Sequence, residues 1–521
     1  TEIYTLSLHD ALPILIDKHP GITDMFRFYT DVWSGMKYYP NIGDCDGFAL
    51  PDTIYKGLVL KSDPGLNPSM YSFLWKLYEE TGDPAFVQVM YHANGNMSEG
   101  LPYDIFISSP EKFSQKFERV IKKHGSKPEI KSVNKKEWHL SVLRDGSGNQ
   151  ERALWLDYDA GGYHSHADGL NIGLFAFGLD LLPDFGYPPV QFGGWESEKA
   201  KWYKMTAAHN TVVVDGKNQA NRAGSYYERK GFQGEPAGKT TLWADGITLK
   251  AVRAELPEAY DIQKYERTLA MVNAGNDDFY VIDLFSIHGG NDHTKMTYSN
   301  FGEISATGLN TSYSKEYGYG TFLRKFRTDT APQPGWYADW KIDDRFNMNP
   351  KNEDIHLRLT DLSEGVTVSL ADAWIVSGFN ATEGEWIPSL ITRRMGHDSL
   401  LVSEFVSVIE PYCSKPFISR SVRKSTGNGY IAVEINLADG TRDLWITGNK
   451  EKKQCEIEEP DGSIIRFRGD MAFIRRDPAG RLKNVSFTQS ENLSVGGYYI
   501  SSYPSEELIE LNLSERSEEH T

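Results

Sequence analysis

A chain of 521 residues is longer than one compact core ordinarily fills, so two or three domains are expected. Hydrophobic residues at 40% and charged residues at 24% describe an ordinary globular composition and exclude a disordered or low-complexity chain. The 55 basic and 72 acidic side chains leave a formal charge of −17, which argues against a nucleic-acid or anionic-membrane partner, and no apolar run reaches the roughly 18 residues of a membrane-spanning helix. Three cysteines, Cys45, Cys413 and Cys455, with no C-x-x-C spacing, suggest neither a disulfide framework nor a cysteine zinc site.

The first stretch, residues 1–14, lacks a basic leader region and an initiator methionine. With the polar ending, residues 514–521, it reads as sequence foreign to the fold. From Asp24 to about Lys127 the patterns are helical. Met25, Phe28, Tyr29 and Val32 follow the three-and-four spacing of an amphipathic helix, and Ser69 to Thr81 repeats it with Tyr71, Phe73, Leu74, Leu77 and Tyr78. Gly82-Asp83-Pro84 ends that helix and starts another, and Ser109 to Lys123 is a further helix opened by Ser-Pro. Between them, Tyr39 to Asp46 is turn-rich. Its Asp44 and Asp46 either form turns, as acids beside glycine ordinarily do, or face a cleft.

After Lys136 the period changes to that of strands. Trp138 to Arg144 and Arg152 to Tyr158 flank a loop at Asp145 to Asn149, and the return strand leads into a segment holding three of the 13 histidines. In an extended strand His164, His166 and Asp168 would share one face. Leu170 to Phe177 and Leu181 to Phe185, joined at Gly178-Leu179-Asp180, read as a hairpin buried on both faces, with Asp184 near its end. His209 then opens a third strand that stops at Asp215-Gly216. Two imidazoles and a carboxylate from separate strand ends, His166, Asp184 and His209, supply three of the roughly four ligands that zinc takes. The bland alternative is that each is a hydrogen-bonding residue of its own strand. From Lys239 to Tyr412 short strands alternate with turns, as in a large antiparallel sandwich, and about Lys415 to Leu513 suggests a smaller β domain.

Three segments, His164-Ser-His-Ala-Asp168, Leu181-Leu-Pro-Asp-Phe-Gly186 and Ala207-Ala-His-Asn-Thr-Val-Val-Val-Asp-Gly-Lys-Asn-Gln219, resemble in order and spacing the signature of heparinase II/III-like polysaccharide lyases. The resemblance implies an α+β chain. Residues 15–130 would be the C-terminal remnant of an (α/α) toroid, 131–414 a β-sandwich and 415–513 a C-terminal β domain. It implies a zinc cluster of His166, Asp184 and His209, with His164 at the active site. Asn210 either supports that cluster or pairs with backbone. The family's toroid tyrosine and its neighbouring Asn or His would lie upstream of Asp24, which leaves Tyr203 and Tyr187 as assisting tyrosines.

The implied reaction is β-elimination on a uronate-containing acidic glycan, by a bacterial protein of the periplasm or exterior. Within a body of net charge −17 such a substrate needs a local basic patch, for which Arg393, Arg394 and the Lys199, Lys201, Lys204 cluster are the candidates. The rival readings are a zinc hydrolase, whose open coordination position activates water, and a non-catalytic glycan-binding β-sandwich.

Overall fold

The computed structural model describes residues 14, 16–58, 68–103, 107–160, 166–219, 237–349, 351, 353–378, 380–396, 400–448, 453–501 and 507–513. The chain divides into two compact units, one of Thr1–Pro40 with Pro51–Val133 and one of Asn41–Leu50 with Asn134–Thr521.

The first unit carries helices α1 (Gly21–Asp31), α2 (Pro68–Thr81), α3 (Ala85–Ala93) and α4 (Pro110–His124). Prolines occupy the residue before or the first residue of each, where a missing N–H costs nothing. Their apolar stripes meet around Trp33, Tyr71, Leu74, Trp75, Phe86 and Phe117, all buried. Arg27 on α1 binds Asp31 at 2.8 Å and both carboxylate oxygens of Asp83 at 2.9 and 2.7 Å, which ties α1 to the turn between α2 and α3. Asp83 also accepts the Ala85 N–H at 3.0 Å and so caps α3.

The second unit is almost entirely antiparallel sheet. Strands β1 (Val133–Lys135), β2 (Leu140–Asp145), β3 (Arg152–Asp157), β4 (Ile172–Ala176) and β5 (Leu179–Asp180) follow one another as a five-stranded meander. Strand β2 begins at Leu140 rather than Trp138, because His139 adopts a left-handed φ of 50° that breaks the extended run. Strand β6 (Val212–Val214) edges a six-stranded sheet continued by Asp292–Tyr298, Glu385–Met395, Thr367–Ile375, Leu323–Asp329 and Ser312–Tyr313. An eight-stranded sheet runs, in spatial order, through Gly302–Thr307, Tyr337–Ile342, Ile355–Asp361, Val402–Cys413, Asp278–His288, Lys264–Gly275, Leu249–Glu255 and Lys239–Asp245. A further eight-stranded sheet spans Ile418–Lys424 to Ile509–Asn512.

The layering follows from the two-residue period of the strands. Val212 and Val214 turn into the core between the six- and eight-stranded sheets, with Val281 and Phe285, while Val213 turns the other way onto Trp202, Tyr203 and Tyr298. In the eight-stranded sheet Tyr280, Ile282 and Leu284 face outward onto Val433, Trp445 and Phe473 of the last sheet. Both central sheets are therefore covered on both faces near their middle, which explains the long apolar runs of strands such as Asp278–His288 and Val402–Cys413, while outer strands such as Gly302–Thr307 alternate.

Three local expectations fail. The return strand of the hairpin is Leu179–Asp180, and the expected strand Leu181–Phe185 forms bends and loop. Residues 166–171 form bends and turns, not a strand, with Leu170 at a φ of 60° and the Asn171 N–H bonded to the Asp168 carbonyl at 2.9 Å. His166 and Asp168 thus owe nothing to a shared strand face. His209 does not open a strand either: it closes a short turn at Thr206–Ala208, and pairing begins only at Val212.

Candidate functional site

His166 comes from the turn before β4, Asp184 from the segment after β5, and His209 from the turn before β6. All three are buried, and they offer ligand atoms within 4.8 Å of one another. Asp184 accepts from the Nδ1 of His209 at 2.6 Å, from the Asn171 amide at 2.8 Å and from the Gly186 N–H at 2.9 Å. Burial alone would raise the Asp184 carboxyl, but the neighbouring His209 and His166 outweigh it and hold it below its ordinary range. Burial likewise works against a charged His209, and Asp184 reverses that and raises it. The Nε2 of His166 lies 3.1 Å from Asp44 Oδ1.

One nitrogen of each ring is thereby spoken for. The others, Nδ1 of His166 and Nε2 of His209, are buried with no hydrogen-bond partner among the described residues. A buried polar atom without a partner costs about 1–3 kcal/mol, so two of them within one cluster call for an occupant. Two imidazoles and a carboxylate whose ligand atoms lie within 4.8 Å of one another suit a cation such as zinc, whose bonds of about 2.0–2.2 Å are shorter than any hydrogen bond here. The residues present fit a metal ion.

The cluster is held by a buried scaffold. Arg267 donates to the carbonyls of Leu170, at 2.7 Å, and of Asn210, and forms a two-bond pair with Asp283 at 2.8 Å. Lys295 reaches the same carboxylate at 2.7 Å. Gln219 accepts from the Gly169 N–H at 2.7 Å and donates to its carbonyl at 2.8 Å, so the far end of the third signature segment pins the turn that carries His166. Asn210 pairs with backbone: its side chain accepts the Tyr298 N–H at 2.7 Å. The side chain touching Asp184 is instead Asn171, whose oxygen also accepts the Asn210 N–H at 2.9 Å. Nothing in the spacing of Asn171 marks it out, since its partner arrives through the tertiary fold.

Residues 156–385 match the family model described as Heparinase II/III-like, C-terminal. These residues form a heparinase II/III-like C-terminal domain. Among curated proteins the chain is similar to an alginate lyase of Stenotrophomonas maltophilia, 24% identical over 366 residues that make up 65% of this chain and 46% of the relative. It is also similar to an exo-oligoalginate lyase of Saccharophagus degradans, 22% identical over 370 residues, 65% of this chain and 47% of the relative. The chain spans about half the length of the curated relatives it matches. In fold it is similar to the heparinase III-BT4657 gene product, at a TM-score of 0.51 and 14% identity over 81% of this chain and 51% of that one. It is likewise similar to a heparan sulfate lyase HepC mutant from Pedobacter heparinus, at a TM-score of 0.50 and 13% identity over 84% of this chain and 55% of that one.

The heparinase II/III-like domain contains the three candidate ligands, whereas Asp44, Arg393 and Arg394 lie outside the matched stretch. His164, the expected active-site histidine, lies outside the described residues. Tyr203 is fully buried in the apolar layer over the six-stranded sheet, and its hydroxyl accepts the Val376 N–H at 2.7 Å. Burial pushes its phenol far above the usual range, so in this conformation it is a core residue beyond the reach of a polymer. Tyr187 is half-buried, edge-on to Trp195 at 5.6 Å, and burial and then the Asp44 carboxylate raise its phenol.

Arg393 is engaged by both oxygens of Asp292, at 2.7 and 2.5 Å, which satisfies its fork within the protein. Arg394 follows it on the strand Glu385–Met395, half-buried, and so turns to the opposite face. The three lysines also separate. The ammonium of Lys199 lies 4.4 and 4.5 Å from the rings of Phe192 and Trp374, Lys201 pairs with Glu196 and Glu198, and Lys204 lies 3.8 Å from Asp44 Oδ1.

Proposed function

We propose that this chain is part of a polysaccharide lyase that cleaves a uronate-containing acidic glycan by β-elimination, in a bacterial periplasm or outside the cell, with zinc as its resident ion. The reading rests on one observation above all. The buried cluster of His166, Asp184 and His209 lies inside the heparinase II/III-like domain, and two curated relatives of the chain are named as alginate lyases.

His166, Asp184 and His209 would hold the ion, which would supply a rigid cross-link between three segments rather than an attacking group. The chain's own residues then have separable tasks. In β-elimination the proton at C5 of the uronate passes to a base, the C4–O bond breaks, a C4=C5 double bond forms and the leaving oxygen is protonated. The base must come within about 2.6–3.2 Å of that proton, and a positive or hydrogen-donating group must sit on the carboxylate to make the proton acidic enough to leave. His164, two residues before His166, is suited to the carboxylate or to proton transfer near neutral pH. Tyr187, whose phenol is held above its usual range, keeps its proton at neutral pH and suits donation to the leaving oxygen.

The test is incubation of the zinc-loaded chain with oligoalginate and with heparan sulfate. The expected product absorbs in the ultraviolet through its unsaturated uronate. Saturated products with new reducing ends would instead make the protein a hydrolase, and binding without turnover, also in a chain extended to the full length of the curated relatives, would make it a glycan-binding module.

A further inference from the structure

We infer that Trp195 and Lys204, with Tyr187 behind them, form a binding subsite for an anionic sugar ring next to the Asp44–His166 pair. Trp195 is 44% exposed although an indole gains most by burial, so folding alone gives no reason for its position. Its ring nonetheless has two neighbours. It stands edge-on to Tyr187 at 5.6 Å with an interplanar angle of 61°, and the Lys204 ammonium lies 4.7 Å from its centroid.

The backbone on both sides of the indole is set as well. Gly193 and Gly194, at φ of 125° and 83°, give the turn that brings it out, and Ser197 caps helix α5 (Glu198–Tyr203) by accepting the Ala200 N–H at 3.2 Å. The segment leaves the cluster at Asp184 and returns to it at His209, so the indole rides on a loop whose two ends are both candidate ligands.

Lys204 connects the indole to the cluster. Its ammonium is 3.8 Å from Asp44 Oδ1, longer than a hydrogen bond, and its side chain is 34% exposed. The ammonium is therefore open to a second anion. Of the three lysines in this segment it alone has this placement, since Lys199 sits against Phe192 and Trp374 and Lys201 faces Glu196 and Glu198. Asp44, the anion it already approaches, is the partner of His166.

The chemistry that matches is a pyranose carrying a carboxylate. The axial C–H bonds of such a ring present a weakly positive, apolar face that complements the negative face of an indole, and its carboxylate pairs with the ammonium. The choice of an acidic over a neutral sugar rests on the lyase reading. The stacking contact does not.

The test uses the zinc-loaded full chain and its Trp195→Ala, Lys204→Met and Lys204→Arg variants, with zinc content and circular dichroism confirming the fold. Oligomannuronate and a neutral glucan oligosaccharide of equal length are titrated calorimetrically. Trp195→Ala is expected to weaken oligomannuronate binding about tenfold, Lys204→Met by a similar factor with a steep loss of salt dependence, and Lys204→Arg much less. Wild-type affinity in both Trp195→Ala and Lys204→Met, or no oligomannuronate binding by the wild type, overturns the subsite. The ultraviolet assay judges the lyase reading separately. Trp195-dependent binding without unsaturated product, also in a chain extended to the full length of the curated relatives, sinks the lyase and leaves the subsite, whereas turnover with KM unchanged in both variants does the reverse.

Discussion

Asp44 Oδ1 lies 3.1 Å from the Nε2 of His166, although 122 residues separate the two in sequence. A carboxylate on one nitrogen of an imidazole fixes the tautomer and turns the other nitrogen toward whatever the ring ligates. Removing it by Asp44→Ala should leave the β unit folded while zinc affinity falls roughly tenfold to a hundredfold. Competition against a chromophoric chelator measures this directly, and an unchanged affinity would strip Asp44 of that role.

Arg267 is the brace beneath the cluster. Its removal by Arg267→Met leaves Asp283 with Lys295 as its one cationic partner among the described residues and leaves the Leu170 and Asn210 carbonyls without this donor. Breaking a buried pair of this kind costs about 3–5 kcal/mol, and the urea midpoint should drop accordingly. Arg267→Lys should recover little, because a single ammonium cannot reach two carbonyls and both carboxylate oxygens.

Asp180 makes a prediction about pH. Burial pushes its carboxyl up to about 8, with Asp184 adding to the shift, and one of its oxygens has no hydrogen-bond partner among the described residues. The folded chain then keeps a proton that the unfolded chain releases above about pH 4, so stability falls as pH rises between those two values. Asp180→Asn removes that dependence. Its stability relative to wild type should rise by roughly 2–5 kcal/mol from pH 4 to pH 8, read by urea unfolding at each pH. Parallel profiles would show that Asp180 ionises in the folded protein as it does in the unfolded one.

Tyr203→Phe separates a core tyrosine from a catalytic one. The substitution leaves the Val376 N–H without its acceptor and should cost about 1–3 kcal/mol in thermal or urea unfolding. Turnover per folded molecule should stay within about twofold. A loss of more than about a hundredfold in kcat, the scale on which an acid or base acts, would restore Tyr203 to the reaction.

Much of this protein is legible along the chain. The helices at Ser69 to Thr81 and Ser109 to Lys123 appear within a residue or so as Pro68–Thr81 and Pro110–His124, because their apolar spacing and their proline starts are local signals. The hairpin around Gly178 is only partly legible: its first strand appears as Ile172–Ala176, but the chain returns at once through Leu179–Asp180, the residues whose composition reads as the turn, and Leu181–Phe185 forms bends and loop. What misled was the period in His164-Ser-His-Ala-Asp168. Alternation looks the same in a strand and in a turn, and only the left-handed Leu170 and the bond from Asn171 to Asp168 distinguish them.

Residue type and order leave His166, Asp184 and His209 open between ligands and hydrogen-bonding residues of their own segments, and it is the resemblance of the three segments to the lyase signature that singles them out. Nothing of the kind marks their neighbours. Asp44 is open in sequence between a turn and a cleft, and Asn171, Arg267 and Trp195 are ordinary residues until sheets and turns carry them together, which depends on pairings between segments far apart in the chain. The same distinction separates Tyr187 from Tyr203, and Lys204 from Lys199. Sequence states which groups exist and how often they recur, whereas burial and the approach of opposite charges, which decide what each group can do, are properties of the packed molecule.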